Sequence, residues 1–434
     1  MKLFSTIGSR RIPGHKNISV CRKVQTLPPE SVSHVYFPLV AGNGATCDPI
    51  VKIGDKVKVG TKIAYREAMS VPLFSSVSGT VTEIKKLVNI TNGRPCDHIV
   101  IENDFKNTPE KLLTPVKLDA PREHLIEAIK EAGILGMGGA GFPTWFKYHT
   151  AKDIHTVLIN AVECEPYLTT DYCAMRDSAS DIVSGARYLV RAAGADKAII
   201  ALKKGRVEAY EALVAASEEH PEVTIQLVPD KYPMGWEGTL IYEVFKARYD
   251  KLPSEVGVVV NNAQTAVAVH KALAKGEVIT SRLITVSGNA VVNPGNIVVP
   301  IGTLAEDVLK QFEIRKDLEY YLLPGGPMTS KSARNATFAL QVVHGGLTLL
   351  EKVKFRTVPC LRCGDCTTNC PVGLQPVEIK LAFEARDMVR LAKLETARCV
   401  DCGLCSYVCP SKIEVSDIVS KAKTLLRVMP PAGK

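Results

Sequence analysis

Hydrophobic and polar positions along this chain follow three rhythms, each predicting a different kind of structure. In the first hundred residues they alternate. Val51-Lys52-Ile53-Gly54-Asp55-Lys56-Val57-Lys58-Val59-Gly60 has a period of two around Gly-Asp and Gly-Thr turns, and Val77-Ser78-Gly79-Thr80-Val81 offers another turn between strands. This predicts a domain of short β-strands over residues 1–110. From about residue 120 the rhythm changes. Residues 122–132 and 206–217 carry apolar groups at helical spacing, whereas 156–159, 197–202 and 257–262 are apolar runs of strand length. Strands alternating with helices predict an α/β domain over 118–275. Residues 284–303 then read as two strands joined at Pro294-Gly295, with a helix at 304–312, giving a smaller domain over 276–330. In a last domain, over 350–425, residues 377–394 mix charged and apolar side chains in a helical rhythm, which predicts a long helical insertion.

Composition fits a multidomain α/β globular protein: 434 residues, 46% hydrophobic and 23% charged. There is no charged-then-apolar leader and no run of eighteen apolar residues, so a soluble cytoplasmic chain is expected. The formal charge of +9 suits an acidic electron-carrier partner or an anionic membrane surface, and equally a generally solvated surface. No motif supports nucleic-acid binding.

Candidate chemistry begins with cysteine. Eight of thirteen cysteines form two near-copies of one pattern, Cys360-x-x-Cys363-x-x-Cys366-x-x-x-Cys370-Pro371 and Cys399-x-x-Cys402-x-x-Cys405-x-x-x-Cys409-Pro410. Soft thiolates suit iron-sulfur clusters or zinc, and this spacing is that of a protein holding two [4Fe-4S] clusters. A zinc ribbon is the weaker reading, because zinc sites usually use two C-x-x-C pairs or histidines; a disulfide framework is weaker still. Cys21, Cys47, Cys96, Cys164 and Cys173 are scattered and read as buried small hydrophobes, with Cys47 and Cys164 in places worth suspicion.

A glycine-rich loop follows the 122–132 helix: Gly136, Gly138, Gly139 and Gly141 lie just ahead of Phe142-Pro143-Thr144 and the basic Lys147. Such a backbone can approach a phosphate or an isoalloxazine ring and aim its N–H groups at an anion, although a flexible linker has the same composition. Polar residues then recur at strand ends: Asn160, Glu163 and Glu165; Tyr232, Gly235 and Glu237; Asn261, Asn262 and Thr265. Each alone reads equally as a helix cap; together they favour a site outside the carboxyl ends of the strands.

These segments resemble known families. Gly-x-Gly-Gly-Ala-Gly-Phe-Pro-Thr with a following lysine, Asn-x-x-Glu-x-Glu-Pro, Tyr-x-x-Gly-x-Glu and Asn-Asn-x-x-Thr look like the FMN- and NADH-binding subunit of respiratory complex I. The Glu-Cys-Glu-Pro-Tyr form, the N-terminal β domain and the paired cysteine runs are more similar to the C subunits of Rnf complexes, the ion-translocating ferredoxin:NAD oxidoreductases of bacterial membranes. The likeness spans about residues 35–423. It implies a barrel-sandwich domain like those of biotinyl and lipoyl carriers, a Rossmann-like FMN/NADH domain, a ubiquitin-like β-grasp domain with Gly325-Gly326-Pro327-Met328 as linker, and an α-helical two-cluster ferredoxin domain. Where the carriers hold their lysine this chain reads Glu67-Ala68-Met69-Ser70, which favours a structural or docking module over a swinging carrier.

The resemblance also implies roles. The four loop glycines would lie against FMN, with Lys147 near its phosphate or ring, and Asn160, Asn261 and Asn262 would bond its polar edge and phosphate. Phe142 would stack on the adenine of NADH, Glu165 and Glu237 would contact its hydroxyls, and Glu163, Tyr232, Gly235 and Thr265 complete the cofactor set. In two-cluster ferredoxins the fourth cysteine of each run ligates the other cluster. Cluster one would then take Cys360, Cys363, Cys366 and Cys409, and cluster two Cys370, Cys399, Cys402 and Cys405. Partners would be the other subunits of a membrane electron-transport complex, with ferredoxin met indirectly and the chain peripheral on the cytoplasmic face.

Departures keep alternatives open. Val162 and Trp236 stand where the complex I subunit has aspartate and glutamate. Gly8 to Asn17 replaces a Gly-Gly-x-His-Pro-Pro segment usual in membrane-complex C subunits. Cys47 stands where many have alanine. A soluble relative feeding a dedicated reductase such as proline reductase, and a flavin-free electron relay or scaffold, are the other two readings.

Overall fold

The structure, a computed structural model, describes residues 8–20, 22–40, 46–66, 69, 71–139 and 141–429. The alternating N-terminal region forms two antiparallel sheets. One runs His34–Pro38, Arg94–Asn103, Gly79–Asn89, Lys56–Val57, and the other Asp48–Pro49, Lys62–Arg66, Val71–Phe74. Phe37, Ile63, Ile99 and Ile101 are fully buried in their core. Two local expectations change. Gly79 opens a long strand instead of sitting in a turn, because the Glu102 carbonyl oxygen of the facing strand lies 1.8 Å from where a Cβ would stand. Within 51–60 only Lys56–Val57 pairs as strand, since Gly54 and Gly60 take φ of 95° and 94° and Ile53 is turned to solvent. Glu67, Ala68 and Ser70 of the carrier-like hairpin lie outside the described residues.

The second domain is a four-stranded parallel sheet in the order Val223–Val228, Lys197–Lys203, Thr156–Asn160, Val258–Asn262. Its strands are near-continuous aliphatic runs because helices cover the sheet; Val157, Leu158 and Ile159 are all fully buried. Helices Ala179–Ala193 and Ala263–Lys275 pack so closely that a Cβ on Gly185 would lie 1.9 Å from the Ala266 carbonyl oxygen.

A five-stranded mixed sheet follows, in the order Gln25–Thr26, Gly295–Pro300, Ser281–Ser287, Gly346–Glu351, Tyr320–Leu323. It extends past residue 330, where the sequence reading ends this domain, because Gly346–Glu351 pairs with strands on both sides. It also recruits Gln25 and Thr26, which pair in parallel with Ile297 and Val298, so the N-terminal segment supplies an edge strand to this sheet.

The C-terminal domain has its own small core of Leu374, Ile379, Ala382, Leu391, Val415, Val419 and Ala422. The expected long insertion is two helices, Pro376–Glu384 and Met388–Lys393, broken where Arg386 turns to φ 55°. Among the described residues no helix is long and apolar enough to cross a membrane. Gly185→Ala should cost about 1–3 kcal/mol through overpacking against the Ala266 backbone, read as a lower thermal midpoint; an unchanged midpoint would show that these helices do not meet there.

Candidate functional site

The parallel sheet reverses its strand order between Thr156–Asn160 and Val258–Asn262, whose last residues, Asn160 and Asn262, pair in register. Ligands of open α/β sheets bind beyond such a point. The glycine-rich loop lies over it. A Cβ on Gly138 would stand 2.9 Å from the Asn262 Cβ, and Gly141, at φ +66°, meets Val343 at 2.7 Å in the same way. The Gly136 N–H donates to the Phe142 carbonyl at 2.9 Å, closing the loop, and the Met137 N–H donates to Thr265 Oγ1 at 3.0 Å. Gly138 and Gly139 are exposed, so bare backbone faces outward as an anion cradle requires.

The other expected residues gather around this strand end. Asn160 Nδ2 donates to the Gly235 carbonyl at 2.7 Å and draws in the 232–237 turn. Asn261 donates to the Tyr148 hydroxyl, while Asn262 caps its helix through Gln264 N–H at 2.9 Å and donates to Asp171 at 2.8 Å. Lys147 Nζ donates to the Val260 carbonyl at 3.0 Å; burial holds its pKa below the usual lysine range, and Glu237 acts in the opposite direction. Glu237 itself accepts from the Tyr249 hydroxyl at 3.2 Å. Phe142 packs edge-on against Phe146, with ring centres 5.8 Å apart.

Two acids are engaged by the chain itself. Glu163 pairs with Lys16 at 3.2 Å and accepts the Asp171 N–H at 2.7 Å; burial pushes its carboxyl up and the Lys16 ammonium down. Glu165 accepts the Met328 N–H at 3.0 Å and the Thr329 hydroxyl at 2.5 Å, both from the linker. Between them, burial pushes the Cys164 thiol up to about 11, and a Cβ on Gly235 would come 2.8 Å from its sulfur. Cys47 is also buried, with its pKa raised by that burial, unlike a reactive cysteine.

Sequence reasoning missed the polar chain beneath the loop. Fully buried Arg282 donates to Gln264 Oε1 at 2.5 Å, to the Met137 carbonyl at 2.9 Å and to the His344 carbonyl at 3.2 Å, and Gln264 donates to Asp171 at 2.7 Å. Burial brings the Arg282 pKa down to about 10. Gln264 occupies an unread position of Asn-Asn-x-x-Thr. Arg282, at the start of an apolar strand, carries no local signal of burial.

In the C-terminal domain Cys370, Cys399, Cys402 and Cys405 line one cavity, walled also by Pro371, Leu374 and Val419. These are the four residues that crossed ligation assigns to cluster two. Soft thiols around a largely apolar cavity are a donor set suited to an iron-sulfur cluster. Among the described residues no three His, Cys, Asp or Glu side chains form a site for a single metal ion. Burial pushes the Cys402 thiol to about 12, so metal must displace bound protons. Cys360 and Cys363 are exposed, Cys366 is buried and Cys409 half-buried. The two runs share a backbone path: Arg362 and Asp401 take φ of 53° and 51°, Gly364 and Gly403 80° and 73°, and Gly373 and Lys412 70° and 55°. Arg362 N–H donates to Cys360 Sγ and Asp401 N–H to Cys399 Sγ, each at 3.4 Å. This domain meets the parallel-sheet domain at Tyr232, whose hydroxyl donates to the Cys402 carbonyl at 2.6 Å.

The buried histidine beside Arg282 predicts an acid weakness. Burial first, and Arg282 second, lower the His344 pKa from 6.5 to about 4. The fold therefore favours neutral imidazole; this contribution is full above pH 6.5 and lost as pH falls towards 4. His344→Gln should flatten that part of the stability profile by roughly 2 kcal/mol, measured as the change in urea midpoint between pH 7 and 5. An equal acid loss in both proteins would contradict it.

Comparison with known proteins follows the same division. The family described as the RnfC barrel sandwich hybrid domain matches residues 6–106, the Nuo51 FMN-binding domain 129–271 and the 4Fe-4S dicluster domain 359–413. The C subunit of the ion-translocating oxidoreductase complex of Rhodobacter capsulatus is 34% identical over 91% of this chain and 78% of its own length. The C subunit of the proton-translocating ferredoxin:NAD(+) oxidoreductase of Clostridium ljungdahlii is 32% identical, over 83% and 80%. Its Na(+)-translocating counterpart from Acetobacterium woodii is 31% identical, over 80% of each. An NAD+-reducing [NiFe]-hydrogenase in the H2-reduced state shares the fold at a TM-score of 0.50 and 23% identity, over 72% of this chain and 63% of that one. The chain belongs to the family of C subunits of ion-translocating oxidoreductase, or Rnf, complexes.

Proposed function

We propose that this chain is the NADH-binding flavin and iron-sulfur subunit of an Rnf-type ferredoxin:NAD oxidoreductase, moving electrons between NAD(H), FMN and two [4Fe-4S] clusters. One observation carries the reading: a glycine cradle at the switch point of a parallel sheet is joined, through the Tyr232 hydroxyl, to the carbonyl of one of four cysteines around a single cavity. When bound, FMN exchanges a hydride for single electrons and the clusters carry those electrons onward.

The chain's own residues bind and orient. Gly136, Gly138, Gly139 and Gly141 present backbone to the flavin, Lys147 supplies a cation within reach of its phosphate or ring, and Asn160, Asn261 and Asn262 offer amides to its polar groups. Thr265, Tyr232 and Gly235 hold these elements in place through the bonds described above. Phe142 faces the nucleotide's adenine. Glu165 and Glu237 take its hydroxyls, with Glu165 exchanging Thr329 for the ligand, while Glu163 stays paired to Lys16 and shapes the wall. Cys360, Cys363, Cys366 and Cys409 hold cluster one, and Cys370, Cys399, Cys402 and Cys405 cluster two. Backbone N–H groups aimed at Cys360 and Cys399 tune the potentials, as hydrogen bonds to cluster sulfurs do. The mixed sheet is a β-grasp unit that holds the linker. The subunit is peripheral, on the cytoplasmic face, and reaches ferredoxin only through its partner subunits.

Anaerobic reconstitution should yield about eight irons and one FMN per chain, with NADH reducing an artificial acceptor. Cys402→Ser and Cys360→Ser should each remove about half of the iron. Four irons or fewer in the parent protein, about one cluster's worth, or no retained FMN, would sink the proposal.

A further inference from the structure

Fourteen consecutive residues, 351–364, are exposed. They lead from the mixed sheet into the first cysteine run. Val353, Phe355 and Leu361 are 50%, 65% and 67% exposed. Single apolar residues on a surface need no explanation, but these three, with Val358 also exposed between them, form a patch on one short segment that calls for a partner. Bases alternate with them: Lys354 and Arg356 flank Phe355, and Arg362 follows Leu361. The Lys412 ammonium stands 5.4 Å from the Phe355 ring. Lys352 N–H is held by the Glu319 carbonyl, Val358 N–H by the Ser411 carbonyl, and the Thr357 hydroxyl donates to the Lys412 carbonyl at 3.3 Å; among the described residues no backbone–backbone hydrogen bond engages 353–357. The segment is thus an apolar and cationic strip fixed at both ends.

We propose that this strip is the docking face for an acidic redox subunit of the same complex, one presenting carboxylates around an apolar centre. Cationic strips attract such a partner electrostatically, while the apolar side chains supply the buried centre of the contact. An anionic membrane surface would satisfy the charges, but it accepts no electrons, and Cys360 and Cys363 are exposed on this same strip. This docking role rests on Cys360 and Cys363 ligating cluster one. By contrast, cluster two's cysteines are half-buried and border the rest of the chain: a Cβ on Gly8 would lie 2.4 Å from the Cys370 carbonyl, one on Gly403 2.3 Å from the Met328 carbonyl, and the Cys402 carbonyl meets Tyr232. Electrons therefore pass from the flavin domain through cluster two to cluster one and leave at the strip.

The test is rebinding of the reconstituted protein to membranes that carry the remaining subunits of its complex but lack this one. The parent protein should co-sediment with them in a salt-sensitive way. Lys354→Glu with Arg356→Glu, and separately Phe355→Ser, should each weaken rebinding at least tenfold. Iron content and NADH-driven ferricyanide reduction should stay at the parent level, because no flavin or cluster residue is changed. Rebinding as tight as the parent's overturns the proposal. So does capture of the parent by protein-free phosphatidylglycerol vesicles that is lost in the same variants, or a parent dimer in ultracentrifugation that the variants abolish. Full iron retention by Cys360→Ser would instead break the ligand assignment while leaving any rebinding defect in place, so the two failures are distinguishable.

Discussion

The buried polar chain from Lys16 through Glu163, Asp171 and Gln264 to Arg282 is the constraint on which the site depends. Two cations and two acids lie out of water, and burial acts against charge on Lys16, Glu163 and Arg282 alike. Such a group is stable only when every member is matched, since breaking one pair leaves an uncompensated charge in a low dielectric. Its members come from three parts of the chain: the N-terminal segment, a loop and two helices of the parallel-sheet domain, and the start of strand Ser281–Ser287. Its far end holds the Met137 carbonyl, inside the glycine-rich loop. The loop that presents bare backbone to a cofactor is thus anchored from below by charges that tolerate little displacement.

That anchoring explains how a glycine-rich segment serves as a cradle. Glycines contribute freedom as well as room, and freedom alone would leave the N–H groups unaimed. Here the loop is pinned at Gly136, Met137 and Gly141 and left open at Gly138 and Gly139. Across the sheet end, Asn160 fixes the 232–237 turn, and Tyr232 carries that turn to the cysteine domain. Site and relay are therefore held in one set of hydrogen bonds.

Much of this was legible in the sequence, and the reasons differ by element. The parallel strands showed themselves because burial on both faces demands unbroken aliphatic runs. The cysteine runs showed themselves because cluster ligation fixes spacing, and the repeat extends to backbone turns at Arg362 and Asp401 that spacing only hints at. The network was illegible because Arg282 and Asp171 are ordinary surface residue types whose burial is decided by elements distant in the chain. The break at Arg386 escaped because the amphipathic rhythm continues across it; the left-handed turn there has no glycine to announce it. The self-contacts of Glu163 and Glu165 escaped because their partners, Lys16, Asp171, Met328 and Thr329, lie outside the motif that contains the two acids.

The parallel pairing of Gln25 and Thr26 with Ile297 and Val298 has a consequence for biogenesis. One edge strand of the mixed sheet, Gln25–Thr26, is synthesised long before its neighbour, which emerges only after the parallel-sheet domain has been made. Until then Gln25 and Thr26 have no strand to pair with, and Arg282 lacks the His344 carbonyl that completes its set of partners. The chain closes like a belt around its own middle, its first and final thirds joined edge to edge in one sheet.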